Sequence, residues 1–207
     1  MALAGCATTS QKTTVAPIGY QGPQSFSTDL VVEQGQKSYK LHSDILVLSK
    51  NAIRLDVRTT LDLPLASVLL TDKEIRYALY RAKKFYSGKP GPRALDPVFP
   101  LSIDVFTLQR ILNETPGADD KCTKDDVGRL KECVGKTGET KYIGQWAKRQ
   151  NSGPLAGRAA KIVLDLPDRS VRLKFFINDF QSTVPNLDKL SRLDPPEGFK
   201  LFSLPNR

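Results

Sequence analysis

Side chains suited to chemistry are few in this sequence and lie far apart. His42 is the one histidine among 207 residues, and it lies between Lys40 and Asp44 on the polar side of an alternating segment. Nothing near it resembles the nucleophile elbow of a hydrolase, so we do not expect a Ser-His-Asp set. The acidic pairs Asp119-Asp120 and Asp125-Asp126 fall among turn residues and are interpreted as solvating or turn-forming groups. We therefore expect a binding protein and not an enzyme.

The cysteines divide into one near the start of the chain and a pair in its second half. Cys122 and Cys133 form an even pair, which predicts a disulfide in an exported protein. A zinc site needs about four ligands, and the one histidine is distant in the sequence. No P-loop or dinucleotide-type glycine pattern is present. We expect no metal and no cofactor.

Residues Leu3-Ala4-Gly5-Cys6 match the lipobox of bacterial lipoproteins. Small residues let the backbone enter the signal peptidase, and the thiol that follows them is acylated, so Cys6 is predicted to carry lipid. The basic and apolar regions of a signal peptide do not precede the motif in this sequence. Residues 7–24 are rich in Thr, Gln, Gly, Pro and Ser, which is typical of a flexible tether. The sequence thus divides into a lipobox remnant with a tether, 1–24, and one domain, 25–207.

From Phe26 onward, apolar and polar residues alternate with a period of two, as in strands with one wet face. Residues 162–166 and 171–177 flank the turn residues 167–170, which predicts a hairpin. A strongly curved sheet of such strands can enclose a ligand cavity. The inward-facing residues are predicted to line an acyl-sized cavity, with a packed core as the equal alternative: Phe26, Leu41, Ile45, Leu55, Val57, Val68, Ile75 and Tyr77.

One amphipathic helix is predicted between the strands. Ser102 is suited to be its N-cap, and Asn113 with Pro116-Gly117 is suited to end it. Its apolar stripe is interpreted as part of the core rather than as a lid. The stripe consists of Leu101, Val105, Leu108 and Leu112. Residues 117–153 break the alternation and are interpreted as a polar insertion that forms short helical or hairpin pieces.

Three segments in this order resemble the LolA/LolB lipoprotein-sorting family. The first runs from Ile53-Arg54-Leu55-Asp56-Val57 into the Leu- and Pro-containing loop that follows. The second is Phe99-Pro100-Leu101-Ser102 with the helix that ends at Ile111-Leu112. The third is the late hairpin followed by the segment from Phe199 to Pro205. The chain departs from the family in having Asp62 where the loop would have glycine, and a tether in place of the opening helix.

The resemblance implies a mainly β fold with helices (α+β), namely a curved, antiparallel, incomplete β-barrel capped by helices. It implies an outer-membrane lipoprotein on the periplasmic face that binds lipoprotein acyl chains, receives them from a LolA-like carrier and inserts them into the membrane. An accessory envelope lipoprotein that binds a protein partner through the same fold is the alternative.

The loop that contains Leu61, Leu63 and Leu65 is interpreted as membrane-inserting, because exposed leucines in a turn require a reason. The corresponding loop of the resembled receptor dips into the bilayer. A loop that folds back and buries its leucines is the alternative.

The net charge of +9 admits a nucleic-acid or anionic-membrane partner. The 31 basic and 22 acidic residues are interleaved, and the densest basic cluster is only Arg81, Lys83 and Lys84. We therefore expect a basic solvated surface and no nucleic-acid partner.

Overall fold

Strands make up most of the chain in the computed structural model, which describes residues 22–90 and 104–204. Twelve strands form one sheet in the order β12-β6-β5-β4-β3-β2-β1-β11-β10-β9-β8-β7. The strands are β1 (Gln24–Gln34), β2 (Lys37–Ser49), β3 (Ala52–Thr59), β4 (Pro64–Thr71), β5 (Ile75–Leu79), β6 (Lys84–Gly88), β7 (Lys121–Lys124), β8 (Leu130–Thr137), β9 (Thr140–Arg149), β10 (Ala159–Leu166), β11 (Val171–Gln181) and β12 (Lys200–Ser203).

The sheet is built from two meanders that meet at β1. Strands β1 to β6 run outward on one side, strands β7 to β11 return on the other, and β11 pairs with β1 over Ser25 to Gln34. Neighbouring strands are antiparallel except β12, which is parallel to β6. Residues of β5 and of β8 share one buried cluster on the same face, so the sheet is curved, while β7 and β12 remain its open edges.

Side chains alternate between the two faces along each strand, and the buried ones form the core that the curved sheet encloses. In β1 and β3, buried and half-buried positions alternate, as the period of two predicted. The predicted hairpin is confirmed: β10 ends at Leu166, a short 3-10 turn covers Pro167–Arg169, and β11 begins at Val171. The mainly β class is confirmed as well.

Of the two forms predicted for 117–153, short helical or hairpin pieces, the structure has the hairpins: these residues supply β7, β8 and β9, and neighbouring strands among them are antiparallel. Their alternation is hard to recognise because the buried positions of β8 and β9 include Gly135, Thr137, Thr140 and Gly144 beside Tyr142 and Trp146. Small and hydroxyl side chains do not register as an apolar stripe.

The Asp120 carboxylate in this region accepts two hydrogen bonds within the fold. It accepts a 2.5 Å hydrogen bond from the hydroxyl of Tyr142 and another from the backbone N–H of Gly117. Burial, together with that bond to Asp120, raises the pKa of the Tyr142 hydroxyl. A Cβ at Gly135 would lie 2.0 Å from the Asp120 carboxylate, so only glycine fits beneath this pair. Asp120 is therefore turn-forming, one of the two interpretations given for the acidic pairs, and it binds Tyr142 as well.

Helix α1 (Val105–Leu112) has Asp104 as its N-cap, and not Ser102 as predicted. The Asp104 carboxylate accepts hydrogen bonds from the backbone N–H groups of Phe106 and Thr107, and Asn113 is the C-cap. A second helix, α2 (Leu187–Leu190), is a single turn. Leu101 and Ser102 lie outside the described residues, as does the predicted lipidation site Cys6.

A strap formed by residues 182–199 crosses the convex face of the sheet and covers a second apolar cluster. Leu46, Leu69, Phe85 and Leu193 are buried there. Arg54 on β3 donates hydrogen bonds to the carbonyl oxygens of Leu190 and Arg192 in the strap. The strap therefore covers apolar strand residues that would otherwise face water.

Within the ranges 22–90 and 104–204, no helix has the length and apolar character required to span a bilayer.

The predicted disulfide is confirmed: Cys122 on β7 is bonded to Cys133 on β8, and the two residues are directly paired in the sheet. Replacing both cysteines with serine should lower the free energy of unfolding by about 3 kcal/mol, because the bond closes a short loop in the unfolded chain. Urea unfolding under non-reducing conditions measures the loss. If reduced wild-type protein is as stable as oxidised protein, the disulfide does not stabilise the fold.

Candidate functional site

The concave face of the sheet collects the residues predicted to face a ligand. Seven of the eight are buried in one cluster, and Leu41 is half-buried against it. The structure therefore brings all eight onto one face. The cluster also includes residues that the sequence did not single out, among them Phe175, Phe180 and Trp146.

The pairing register aligns the large side chains of this face into one row, which we call the large row. Opposite each other on successive strands lie, in order, Phe180, Phe26, Ile45, Leu55, Val68, Tyr77, Tyr86 and Phe202. Cross-strand neighbours of this kind contact each other directly. The row thus crosses eight strands, from β11 to the edge strand β12.

Three aromatic rings at the β12 end of the large row are stacked. The rings of Tyr77 and Tyr86 have centroids 4.7 Å apart, and those of Tyr86 and Phe202 are 5.1 Å apart. Tyr77 is fully buried, Tyr86 is half-buried and Phe202 is 39% exposed. Burial raises the pKa of the Tyr77 hydroxyl, and it stays protonated. Tyr86 and Phe202 were missed because β6 and β12 are too short to show alternation.

Helix α1 closes part of the concave face. Its Leu108, Ile111 and Leu112 are buried in the same cluster as the large row. Gln109 donates a 3.0 Å hydrogen bond to the carbonyl oxygen of Ser49 on β2, and Trp146 on β9 donates one to that of Ile111. The helix is therefore held from both halves of the sheet.

A buried ion pair lies where α1 ends. Glu114 is 3% exposed, accepts a 2.8 Å hydrogen bond from the backbone N–H of Ala159 and pairs with Arg149. Arg149 also donates to the carbonyl oxygens of Leu130 and Gly157. These contacts join the end of α1 to strands β8, β9 and β10.

Arg158 supplies a second buried cation at this end of the sheet. Its guanidinium lies 4.3 Å from the ring centroid of Phe180 and 6.0 Å from that of Phe26. Burial lowers the pKa of Arg158, and the nearby Glu114 opposes that shift. The aromatic faces and the carboxylate allow a charge to remain inside an apolar cluster.

At the opposite end, the loop between β3 and β4 exposes two of its three predicted leucines. Leu61 is 81% exposed and Leu63 is 60% exposed. Asp62 has a φ of 64° and pairs with Arg58, which fixes the turn between them. Leu65 lies in β4 and is half-buried against the core, so it does not project with the other two.

The polar residues considered for catalysis do not meet on the concave face. His42 contacts Asp29 at 2.6 Å on the outer face of the sheet, where both are partly exposed. Asp125 instead binds the backbone N–H groups of Arg129 and Val127 in the turn between β7 and β8. In the described part of the chain, no group of three or more His, Cys, Asp or Glu is placed to hold a metal ion.

Comparison with solved structures shows which known folds this architecture resembles. No family model and no curated protein matches the sequence. A LolA superfamily protein from Nitrosomonas europaea aligns with a TM-score of 0.57 and 6% identity, over 84% of this chain and 91% of that one. A Vibrio parahaemolyticus domain, named for outer membrane lipoprotein sorting, has a TM-score of 0.52 and 9% identity, over 83% and 92%.

A third structure, a DUF1329 family protein from Desulfovibrio piger, has a TM-score of 0.55 and 5% identity over 82% of this chain and 89% of that one. The alignments span nearly the whole of each domain at very low identity. The chain therefore has the LolA-like fold, as the sequence resemblance predicted.

The Glu114–Arg149 pair should be essential for stability. Glu114→Gln leaves a buried guanidinium without its counter-charge and should lower the free energy of unfolding by about 3 kcal/mol. Asp165→Asn is the matched control, because its partner Arg172 is 49% exposed, and it should cost less than about 1 kcal/mol. Urea unfolding compares the two. Equal losses would contradict the role assigned to burial.

Proposed function

We propose that this chain, which has the LolA-like fold, is an envelope protein that binds acyl chains on the concave face of its sheet. The observation that supports the proposal most directly is the large row, an apolar surface that crosses eight strands and extends to a partly exposed aromatic edge. An extended acyl chain presents methylene groups along its whole length and gains roughly 0.8 kcal/mol for each one buried. A long apolar row suits such a ligand better than it suits a compact polar one.

The half-buried residues around this row mark where a chain would enter. Leu41, Leu65, Leu79 and Tyr86 pack against the core but retain partial exposure. Leu61 and Leu63 project beyond them at the same end of the sheet. We propose that an acyl chain enters at this end and that the leucine loop contacts the bilayer from which the chain comes or to which it goes.

The finer role that we propose is that of an acceptor at the periplasmic face of the outer membrane. In this role the protein receives lipoprotein acyl chains from a LolA-like carrier and passes them to the bilayer. Lipid on Cys6 would hold the domain at that surface, and the residues after Cys6 would supply the reach. Binding and transfer need no bond to be made or broken, and we propose no catalytic activity.

A second function is favoured by the packing of α1. Leu108, Ile111 and Leu112 occupy part of the concave face with the chain's own side chains. An accessory envelope protein would use the same fold as a packed scaffold and bind a protein partner at its rim. Acyl binding distinguishes the two, because only the first function requires the concave face to open to a ligand.

Two adjacent positions on β2 test acyl binding with matched substitutions. Leu41 belongs to the concave face and Lys40 to the opposite face. Leu41→Gln should weaken binding of a fluorescent fatty-acyl probe about fivefold, since it removes apolar contact, whereas Lys40→Gln should leave binding unchanged. Fluorescence titration, with displacement by unlabelled lipid, measures both. A probe that binds neither wild type nor variants would favour the partner-binding function.

The leucine loop should bind membranes without contributing to the core. The double change Leu61→Glu, Leu63→Glu should leave folding intact and weaken liposome binding of the unlipidated domain, because each leucine contributes roughly 1.5 to 3 kcal/mol when it enters an apolar layer. Val127→Glu is the control, since Val127 is 70% exposed at the opposite end of the sheet. Liposome flotation measures binding. Unfolding of the double variant would show that the leucines belong to the core.

A further inference from the structure

Two hydroxyl groups are buried on the concave face although their surroundings are apolar. Tyr77 is 0% exposed and Ser43 is 1% exposed. Within residues 22–90 and 104–204, neither Tyr77 Oη nor Ser43 Oγ has a hydrogen-bond partner. Buried hydroxyl groups nearly always have one, because an unpaired hydroxyl loses its hydration without compensation. Against the described residues, both hydroxyls remain available to donate to a bound molecule.

Ser43 lies in a row of small side chains beside the large row. Thr28, Ser43, Val57 and Ala66 are opposite one another on β1, β2, β3 and β4. Thr28 Oγ1 is already engaged, since it donates a 3.1 Å hydrogen bond to the carbonyl oxygen of Ser43. Small side chains project less far from a sheet than Leu or Phe do. The sheet is therefore thinner along this row of buried residues, which we call the trough, and the Ser43 hydroxyl lies in it.

Tyr77 borders the same trough from the neighbouring strand β5. Its paired residue Val68 and the trough residue Ala66 lie on one face of β4, two positions apart. Strands β2 and β5 are three spacings apart, roughly 14 Å along a flat sheet and less across a concave one. A ligand lying along the trough would therefore meet Ser43 within it and Tyr77 beside it.

The stacked aromatic rings connect this position to the surface. From Tyr77 the stack continues through Tyr86 to the exposed Phe202, and Lys84 Nζ lies 5.5 Å from the Phe202 ring centroid. Flat aromatic faces offer an apolar path, and the ammonium group marks its outer end. The stack thus links the buried Tyr77 to Tyr86, one of the half-buried residues at the proposed entry.

We infer that the hydroxyls of Ser43 and Tyr77 are the polar anchor of the acyl site and donate hydrogen bonds to the ester carbonyl oxygens of the ligand. The inference rests on the proposed acyl-binding function and names the ligand class as acyl esters. A carbonyl oxygen accepts such bonds, whereas the methylene groups of the chain cannot. The diacylglyceryl group of a lipoprotein and the acyl ester of a phospholipid share this chemistry.

The test compares two ligands that differ only in the carbonyl. A diacyl phosphatidylcholine, which has one ester carbonyl for each hydroxyl, and its diether-linked analogue of the same chain lengths are used to displace the fluorescent fatty-acyl probe. Wild-type protein should bind the ester roughly three- to tenfold more tightly than the ether. Tyr77→Phe and Ser43→Ala should each reduce that preference, and the double variant should abolish it, with affinity for the ether unchanged.

Stability supplies an independent readout. Tyr77→Phe should leave the midpoint of thermal unfolding unchanged or raise it, because no internal hydrogen bond is lost. Tyr80→Phe is the matched control: its hydroxyl lies 3.2 Å from Ser67 Oγ outside the trough. That substitution should lower the midpoint and leave the ester preference intact.

The outcomes distinguish a failure of the polar anchor from a failure of the acyl-binding function. Equal affinity of wild type for ester and ether, or an equal loss of both in Tyr77→Phe, overturns the polar anchor while acyl binding stands. Binding of neither ligand overturns the acyl-binding function and the anchor with it. A synthetic diacylglyceryl-cysteine peptide identifies the source of the ester. If it binds more tightly than the diacyl phosphatidylcholine and responds to the same substitutions, the ester is that of a lipoprotein, and the reverse order assigns it to a phospholipid.

Discussion

The contact between helix α1 and the concave face of the sheet is the interaction on which the rest of the structure depends. A single sheet with one apolar face is stable only if that face is covered, and here the sheet curves around a short helix rather than packing on a second sheet. The hydrogen bonds from Gln109 and Trp146 fix the helix between the two meanders. Because α1 is only two turns long, it packs on part of the face, while the large row crosses eight strands and is buried as far as Tyr77, becoming partly exposed at Tyr86 and Phe202.

Two further sets of contacts stabilise the parts of the sheet that α1 does not cover. On the convex face, the strap of residues 182–199 covers apolar residues of β2, β4, β5 and β6, held by the arginine of β3 that binds its carbonyl groups. At the end of α1, Glu114 and Arg149 join the helix to the second meander. Their hydrogen bonds fix the orientation of the helix, which apolar contacts alone would not do. Buried charge thus lies at one end of the large row, where Arg158 contacts the rings of Phe180 and Phe26.

The same geometry separates the tasks that acyl binding requires. The large row offers contact along a chain. The hydroxyls of Tyr77 in this row and Ser43 beside it, which have no hydrogen-bond partner among the described residues, offer donors. The leucine loop projects from the end opposite the buried charges. Burying the Ser43 and Tyr77 hydroxyls without a partner among the described residues is unfavourable for stability. A ligand carbonyl that accepts their hydrogen bonds therefore gains more than it would from hydroxyls already bonded to water. In this interpretation the protein gives up some stability for selectivity.

The sequence by itself determined which residues share a face. Because side chains alternate strictly along a strand, the predicted inward residues from Phe26 to Tyr77 all reached the concave face, and the β10–β11 hairpin followed from its turn residues. The order of three weak motifs was sufficient to predict the LolA-like fold. For β7 to β9 the sequence left hairpins and short helices open, because glycine and threonine fill inward positions there. The N-cap Asp104 was mispredicted as Ser102, because two polar residues competed as cap. Only the tertiary structure decided the register that aligns eight side chains into one row, the pairing of Glu114 with Arg149, and the burial of the Ser43 and Tyr77 hydroxyls without a hydrogen-bond partner in the described part of the chain. Each of these joins residues from different strands, and contacts of that kind depend on how the sheet curves, which no local pattern records.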